Sequence, residues 1–165
     1  MAMIPKAQAL PGFLNRVQPK LPDKGNALGW MILPLKRYAQ FDGRSGRREF
    51  WWYSLLLTLS YSAAIFLAIA LAATDIEDGA GILVFLGFFS IVFIANFIPG
   101  LALTTRRMHD IGWPGWLSIM AVLVVFLFSI FGWIGYMIVM SLPPAKGENQ
   151  YGPPVYGDQI ADIFG

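Results

Sequence analysis

Residues 50–73 read FWWYSLLLTLSYSAAIFLAIALAA, 24 positions without a charge. About 20 predominantly apolar residues, rising ~1.5 Å each, cross the ~30 Å hydrocarbon core of a bilayer. This stretch is long enough to cross once and too short to cross twice. Two more blocks repeat the pattern: residues 79–105 supply 27 uncharged positions and residues 111–145 supply 35. Pro114 and the pair Pro143 and Pro144 trim the last block to a helix over 116–142. Buried helices of a soluble core are excluded, because no amphipathic segments remain to enclose them. The blocks predict an all-α membrane protein with three transmembrane helices, at about 50–73, 80–105 and 116–142.

The composition of the 165-residue chain agrees: 56% of residues are hydrophobic and 13% are charged, about half the charged share of a soluble domain. The formal net charge is +2. With no cysteine, disulfides, thiolate nucleophiles and cysteine metal sites are excluded, and the single histidine, His109, removes paired-histidine zinc motifs. No metal, cofactor or nucleic-acid partner is expected.

Residues 1–26 are polar, interrupted by Pro5 and Pro11 and bracketed by Lys6 and Arg16, with no apolar run that would make a removable signal. They are expected to be a cytoplasmic tail without fixed structure. Residues 27–49 differ, mixing Trp30, Leu33, Tyr38 and Phe41 with Lys36 and Arg37. Such a segment suits the lipid–water interface, lying flat beside the first span. Gly29 and Pro34 weaken a helix there, and a loop is the alternative. Residues 143–165 form a short polar tail.

Nine Lys and Arg precede the first span, none lies between the first two, and Asp75, Glu77 and Asp78 stand there instead. Arg106 and Arg107 follow the second span, and the tail holds only Lys146. Positive residues stay inside, so the N-terminus is expected in the cytoplasm and the acidic connection outside. Three crossings then place the C-terminus outside. A tail on the inner face would require the third block to be re-entrant. Aromatic anchors are expected at Trp51, Trp52 and Tyr53, at Trp113 and Trp116, and at Trp133 and Tyr136 toward the far end of the third span.

This orientation brings two basic clusters to one face. Arg44, Arg47 and Arg48 stand before Trp51, and Arg106, Arg107, His109 and Asp110 before Trp113 and Trp116. If the second helix continues, Asp110 meets Arg106 at i,i+4 and Arg107 at i,i+3. Gly112 would cap that helix and Pro114 stop it. Asp110 is expected to order Arg106 and Arg107, and Glu49 its neighbour Arg48. The arginines and tryptophans read as a cytoplasmic-face collar for anionic lipid or a partner's acidic segment. Small residues at Ala64, Ala68 and Ala72, and at Gly132 and Gly135, could serve internal packing or association with a second copy or another membrane protein. Asn96 near Pro99 suggests an interhelical hydrogen bond, and Met137 and Met140 read as packing filler.

The stretches G-R-x-x-R-x-E-F-W (43–51), R-R-x-H-D-x-G-x-x-G-W (106–116) and G-E-N-x-Y-G-P (147–153) together resemble the bacterial domain of unknown function 805 family, the YhaH-like small inner-membrane proteins. The resemblance runs over about residues 28–154. It implies a small multi-pass protein of the bacterial inner membrane and carries no catalytic residue with it.

The residues leave an enzyme open as the alternative: a membrane enzyme acting on lipid head groups with His109 and Asp110 as an acid–base pair. Adjacent positions on a helix point about 100° apart, which disfavours a shared acid–base face. Asp42-Gly43-x-x-Gly46-Arg47 also resembles the start of a metal-dependent lipid phosphotransferase signature, but residues 50–73 hold none of the further aspartates needed to bind the metal. No nucleophile-elbow context surrounds Ser45 or Ser118. The leading expectation is a non-catalytic binding or scaffolding module.

Overall fold

A computed structural model describes residues 21–73 and 80–155, so most of the expected N-terminal tail, the acidic connection and residues 156–165 lie outside the described residues. Four helices follow one another: α1 (Ala27–Lys36), α2 (Arg47–Ala72), α3 (Ala80–Ile111) and α4 (Leu117–Ser141). No strand occurs among the described residues. The last three helices are long and apolar enough to cross a membrane, and they expose to lipid a continuous coat of side chains such as Phe66, Leu83, Ile91 and Phe126.

α1 forms despite Gly29 and Pro34 because its end is held: the Asn26 side chain accepts from Gly29 N at 2.8 Å, a standard N-cap. Trp30 and Leu33 are buried against the bundle while Leu28, Ile32 and Leu35 face outward. The segment is therefore half membrane-facing and half packed on its own protein. α2 and α3 pair along their length. Tyr53 donates to Asn96 Oδ1 at 2.7 Å across them, and Ala64 is buried. α3 passes through Pro99 and ends at Gly112, where φ is +93°. Gly112 N donates to His109 O and Trp113 N to Met108 O, the paired bonds of a Schellman stop.

The third block departs from the expected straight span. α4 is broken at Ser129, with φ 48° and ψ −119°, a conformation that glycine tolerates and other residues resist. The chain doubles back there. A Cβ on Gly132 would stand 2.3 Å from Val124 O, although on a straight helix eight residues separate by about 12 Å. Both ends of α4 consequently lie against the last turn of α3: Ser118 and Thr105 share a hydroxyl hydrogen bond of 2.8 Å, while Arg107 Nε donates to Met140 O at 3.1 Å. Each arm, 117–128 and 130–141, is about 18 Å long, short of the ~30 Å hydrocarbon core.

Two sequence expectations are corrected by this hairpin. The tail after Ser141 lies at the same end of the bundle as α1, not at the opposite end, because the chain doubles back at Ser129. Tyr136 likewise does not mark a far interface. It packs on Phe50 with ring centroids 5.8 Å apart and shares a 2.9 Å hydroxyl hydrogen bond with Thr104. The core sits where the second arm meets α2 and α3: Phe50, Tyr53, Leu103, Met108 and Met140, with Met137 packed beside them.

Candidate functional site

The ends of α2, α3 and α4 meet in a dense group of charges that the bilayer-facing helices could not hold elsewhere. Glu49, in the first turn of α2, is fully buried. Its carboxylate accepts from Arg37 at 3.2 Å, Arg106 at 3.0 Å and the Ser45 hydroxyl at 2.9 Å. Asp110, in the last turn of α3, accepts from Arg44 Nε at 2.9 Å and from Arg107 one turn before it. Two carboxylates thus hold four arginines, each pair drawn wholly or partly from different elements. Burial of this kind is tolerated only when ions are paired and their remaining hydrogen-bond capacity is met.

Arg44 meets that condition fully. Besides Asp110 Oδ1, its guanidinium donates to Asp110 O at 3.3 Å, Ala145 O at 3.0 Å, Gly147 O at 2.8 Å and Gly152 O at 3.4 Å. All five guanidinium protons have acceptors. Arg107 reaches Met140 O and Leu142 O, and Arg106 reaches Gln40 O. The arginines therefore fasten the loop before α2 and the tail after α4 to the end of α3.

His109 completes the assembly. Its Nδ1 lies 3.1 Å from Gly43 O, and since a carbonyl only accepts, Nδ1 carries the proton and Nε2 is left as the acceptor. The ring stacks on Tyr151 at 3.7 Å with a 6° interplanar angle. A Cβ on Gly115 would fall 2.6 Å from Nε2, so only glycine lets the α3–α4 loop close over the ring. Asn149 donates to His109 O at 2.9 Å and accepts from Tyr151 N at 2.9 Å. The three sequence motifs, scattered over residues 43–153, are one constellation in space. His109 bonds to Gly43 and Asp110 to arginines, so the two do not pair as acid and base.

The expected collar divides accordingly. Arg44, Arg106, Arg107, His109 and Asp110 are inside. Arg47 is exposed, and Arg48 is half-buried, its guanidinium 5.6 Å from the Trp30 ring centre, a cation–π contact. Trp51, Trp113 and Trp116 remain exposed at 44%, 40% and 61%. The partners Arg37, Ser45, Asn149 and Tyr151 escaped sequence reasoning. Asp110 keeps the expected Arg107, but Arg106 pairs with Glu49 instead and Arg44 takes its place, because pairing by sequence distance cannot see contacts between elements. The signal that could have found them is the tail motif itself: polar Asn149 and Tyr151 between glycines gain nothing from a free tail.

The region holding the constellation is also what known proteins share. The family described as protein of unknown function, DUF805, matches residues 38–153. The chain belongs to that family. Among relatives of this DUF805 chain, inner membrane protein YhaH of Escherichia coli strain K12 is 28% identical over 126 residues, 76% of this chain and 95% of that protein. Inner membrane protein YhaI of the same strain is 27% identical over 130 residues, 78% of this chain and 97% of the relative. No solved structure matches. This DUF805 chain is a membrane protein whose family has no assigned activity.

The five-donor role of Arg44 gives a prediction. Arg44→Lys keeps the charge but offers three protons from a single nitrogen, leaving buried carbonyls of the tail without donors. The variant should lose about 2 kcal/mol of stability, the order of one charged hydrogen bond. Thermal unfolding in detergent tests it, with exposed Arg47→Lys as the control that should melt with the parent. Indistinguishable melting of Arg44→Lys would remove the clamp role.

Proposed function

We propose that the protein is a non-catalytic binding module of the bacterial inner membrane, with its basic end on the cytoplasmic side, that engages anionic lipid head groups there. One observation carries this reading: Arg44, Arg106 and Arg107 are spent on Glu49 and Asp110, whereas Arg47 stays exposed and makes no hydrogen bond or ion pair among the described residues. Trp51 follows it by one turn, and the exposed Trp113 and Trp116 are of the residue type that settles at head-group level. A basic residue near an anionic leaflet contributes about 1 kcal/mol, weakening with salt. The cytoplasmic orientation is supported by nine Lys and Arg before residue 50, two of them in the first turn of α2, against none at 74–79.

Thermal unfolding in a mild detergent, with added phosphatidylglycerol or phosphatidylcholine of the same chains, tests the reading. A ligand that binds only the folded state raises its melting point. Phosphatidylglycerol should stabilise the parent more than phosphatidylcholine does, and the double variant Arg47→Gln/Arg48→Gln should lose the difference. His109→Gln should keep it, since no acid–base step is involved. Equal stabilisation of the parent by both lipids would sink the proposal.

A further inference from the structure

Between α2 and the second arm of α4 runs an open groove of about 740 Å³, within the ~300–1,000 Å³ range of small-ligand sites. Its walls are Trp51 and Leu55 on one side and Trp133, Ile134 and Ile138 on the other. Two of its three hydroxyls are satisfied by backbone: Thr58 donates to Ser54 O at 2.9 Å and Ser141 to Met137 O at 2.7 Å, which leaves Ser54 Oγ as the third. What the groove offers an occupant is mostly carbon. One end of it is formed by Leu142 and Pro143, at the level of the buried charges.

Arg47 stands at that end. Positions 47, 51, 55 and 58 share a face of α2 at helical spacing, so the exposed guanidinium lies one turn above Trp51. Helical side chains lean toward the N-terminus, which carries this one away from the hydrocarbon toward the head groups. Lys146 is exposed three residues beyond Pro143. Apolar walls at bilayer depth with an exposed guanidinium at the mouth complement a molecule with a long hydrocarbon chain and an anionic head.

We propose that this groove holds an acyl chain of one anionic phospholipid from the adjoining leaflet, its phosphate bound by Arg47. The proposal rests on the binding reading above and deepens it by naming the site and the occupant. A guanidinium suits phosphate because it can donate two parallel N–H bonds. The re-entrant arm has a use in this arrangement, since it supplies the second wall without adding a crossing.

Native mass spectrometry of the full chain, released from nanodiscs of equal phosphatidylglycerol and phosphatidylcholine with identical chains, tests it. The parent should keep one phosphatidylglycerol, and Arg47→Gln should lower its preference over phosphatidylcholine by about fivefold. Thr58→Trp, which fills the groove from α2, should lose lipid of both kinds while keeping Arg47. Ile138→Trp fills it from the opposite wall and serves if the first variant melts early. If both filled variants keep the parent's lipid while Arg47→Gln loses it, head groups bind at the rim and the groove assignment is wrong, though the binding reading stands. If all variants keep the parent's lipid, both fail. A parent that retains the two lipids equally overturns the charge-selected occupant.

Discussion

Asp110→Asn should be among the most damaging single substitutions in the protein. The change removes one negative charge from a position where Asp110 is 2% exposed and where Arg44 and Arg107 are 4% and 0% exposed. An asparagine keeps one acceptor oxygen and places an amide donor toward a guanidinium that can only donate. Breaking a buried pair on one side costs about 3–5 kcal/mol, because the remaining charge stays desolvated without its partner. Here two arginines are affected, and Arg44 carries the tail contacts with it. The loss should therefore spread beyond the pair, with residues 145–152 becoming accessible to protease before the bundle melts. Thermal unfolding with limited proteolysis measures both, and Asp75→Asn, in the acidic stretch 75–78 of the sequence, serves as the comparison. Equal melting points for the two variants would show that the pairing contributes nothing. Glu49→Gln is expected to behave like Asp110→Asn, since Glu49 holds Arg37 and Arg106 in the same manner.

How much of this was legible in the sequence depends on the range of the interaction. The helical blocks, the Gly112 stop and the Arg107–Asp110 contact follow from spacing along one chain segment, and all are present. The partners of Glu49 and Arg44 are not local: Arg44 meets Asp110 across 66 residues and Gly147 across 103. No periodicity encodes such distances. Charge counts also gave the wrong order of exposure. Five arginines near an interface look like a collar, but three of them, Arg44, Arg106 and Arg107, are buried where carboxylates and end carbonyls satisfy them. The turn at Ser129 left almost no signal, because serine between Phe128 and Ile130 reads as one more apolar helix position. Gly132 and Gly135 read as a smooth patch for internal packing or association. Gly132 receives the protein's own first arm, while Gly135 has open space beside it.

Because the chain doubles back at Ser129, residue 146 is expected on the same side as residue 24, and this is the largest effect open to measurement. The parent has no cysteine, so single cysteines at Lys24, Asp75 and Lys146 report sidedness without interference. A membrane-impermeant maleimide should label Lys24→Cys and Lys146→Cys from the same side and Asp75→Cys from the other. A straight α4 of 25 residues would span about 38 Å and put Lys146 with Asp75. The hairpin is favoured by charge as well as by contact. With two crossings, all 12 Lys and Arg of the chain fall on one side, the distribution that insertion prefers. With three, Lys146 would be stranded opposite the rest, and Arg44 and Arg107 would lose the tail carbonyls of Met140, Ala145 and Gly147. Those carbonyls belong to residues that follow the second arm or end it, so the ionic group and the turn at Ser129 depend on each other. Gly132→Val tests that dependence. Its side chain meets Val124 O and forces the arms apart, so labelling at residue 146 should become mixed between the two sides or the tail should become protease-sensitive. Labelling of Lys146→Cys with Asp75→Cys in the otherwise unaltered chain would mean that the third block crosses.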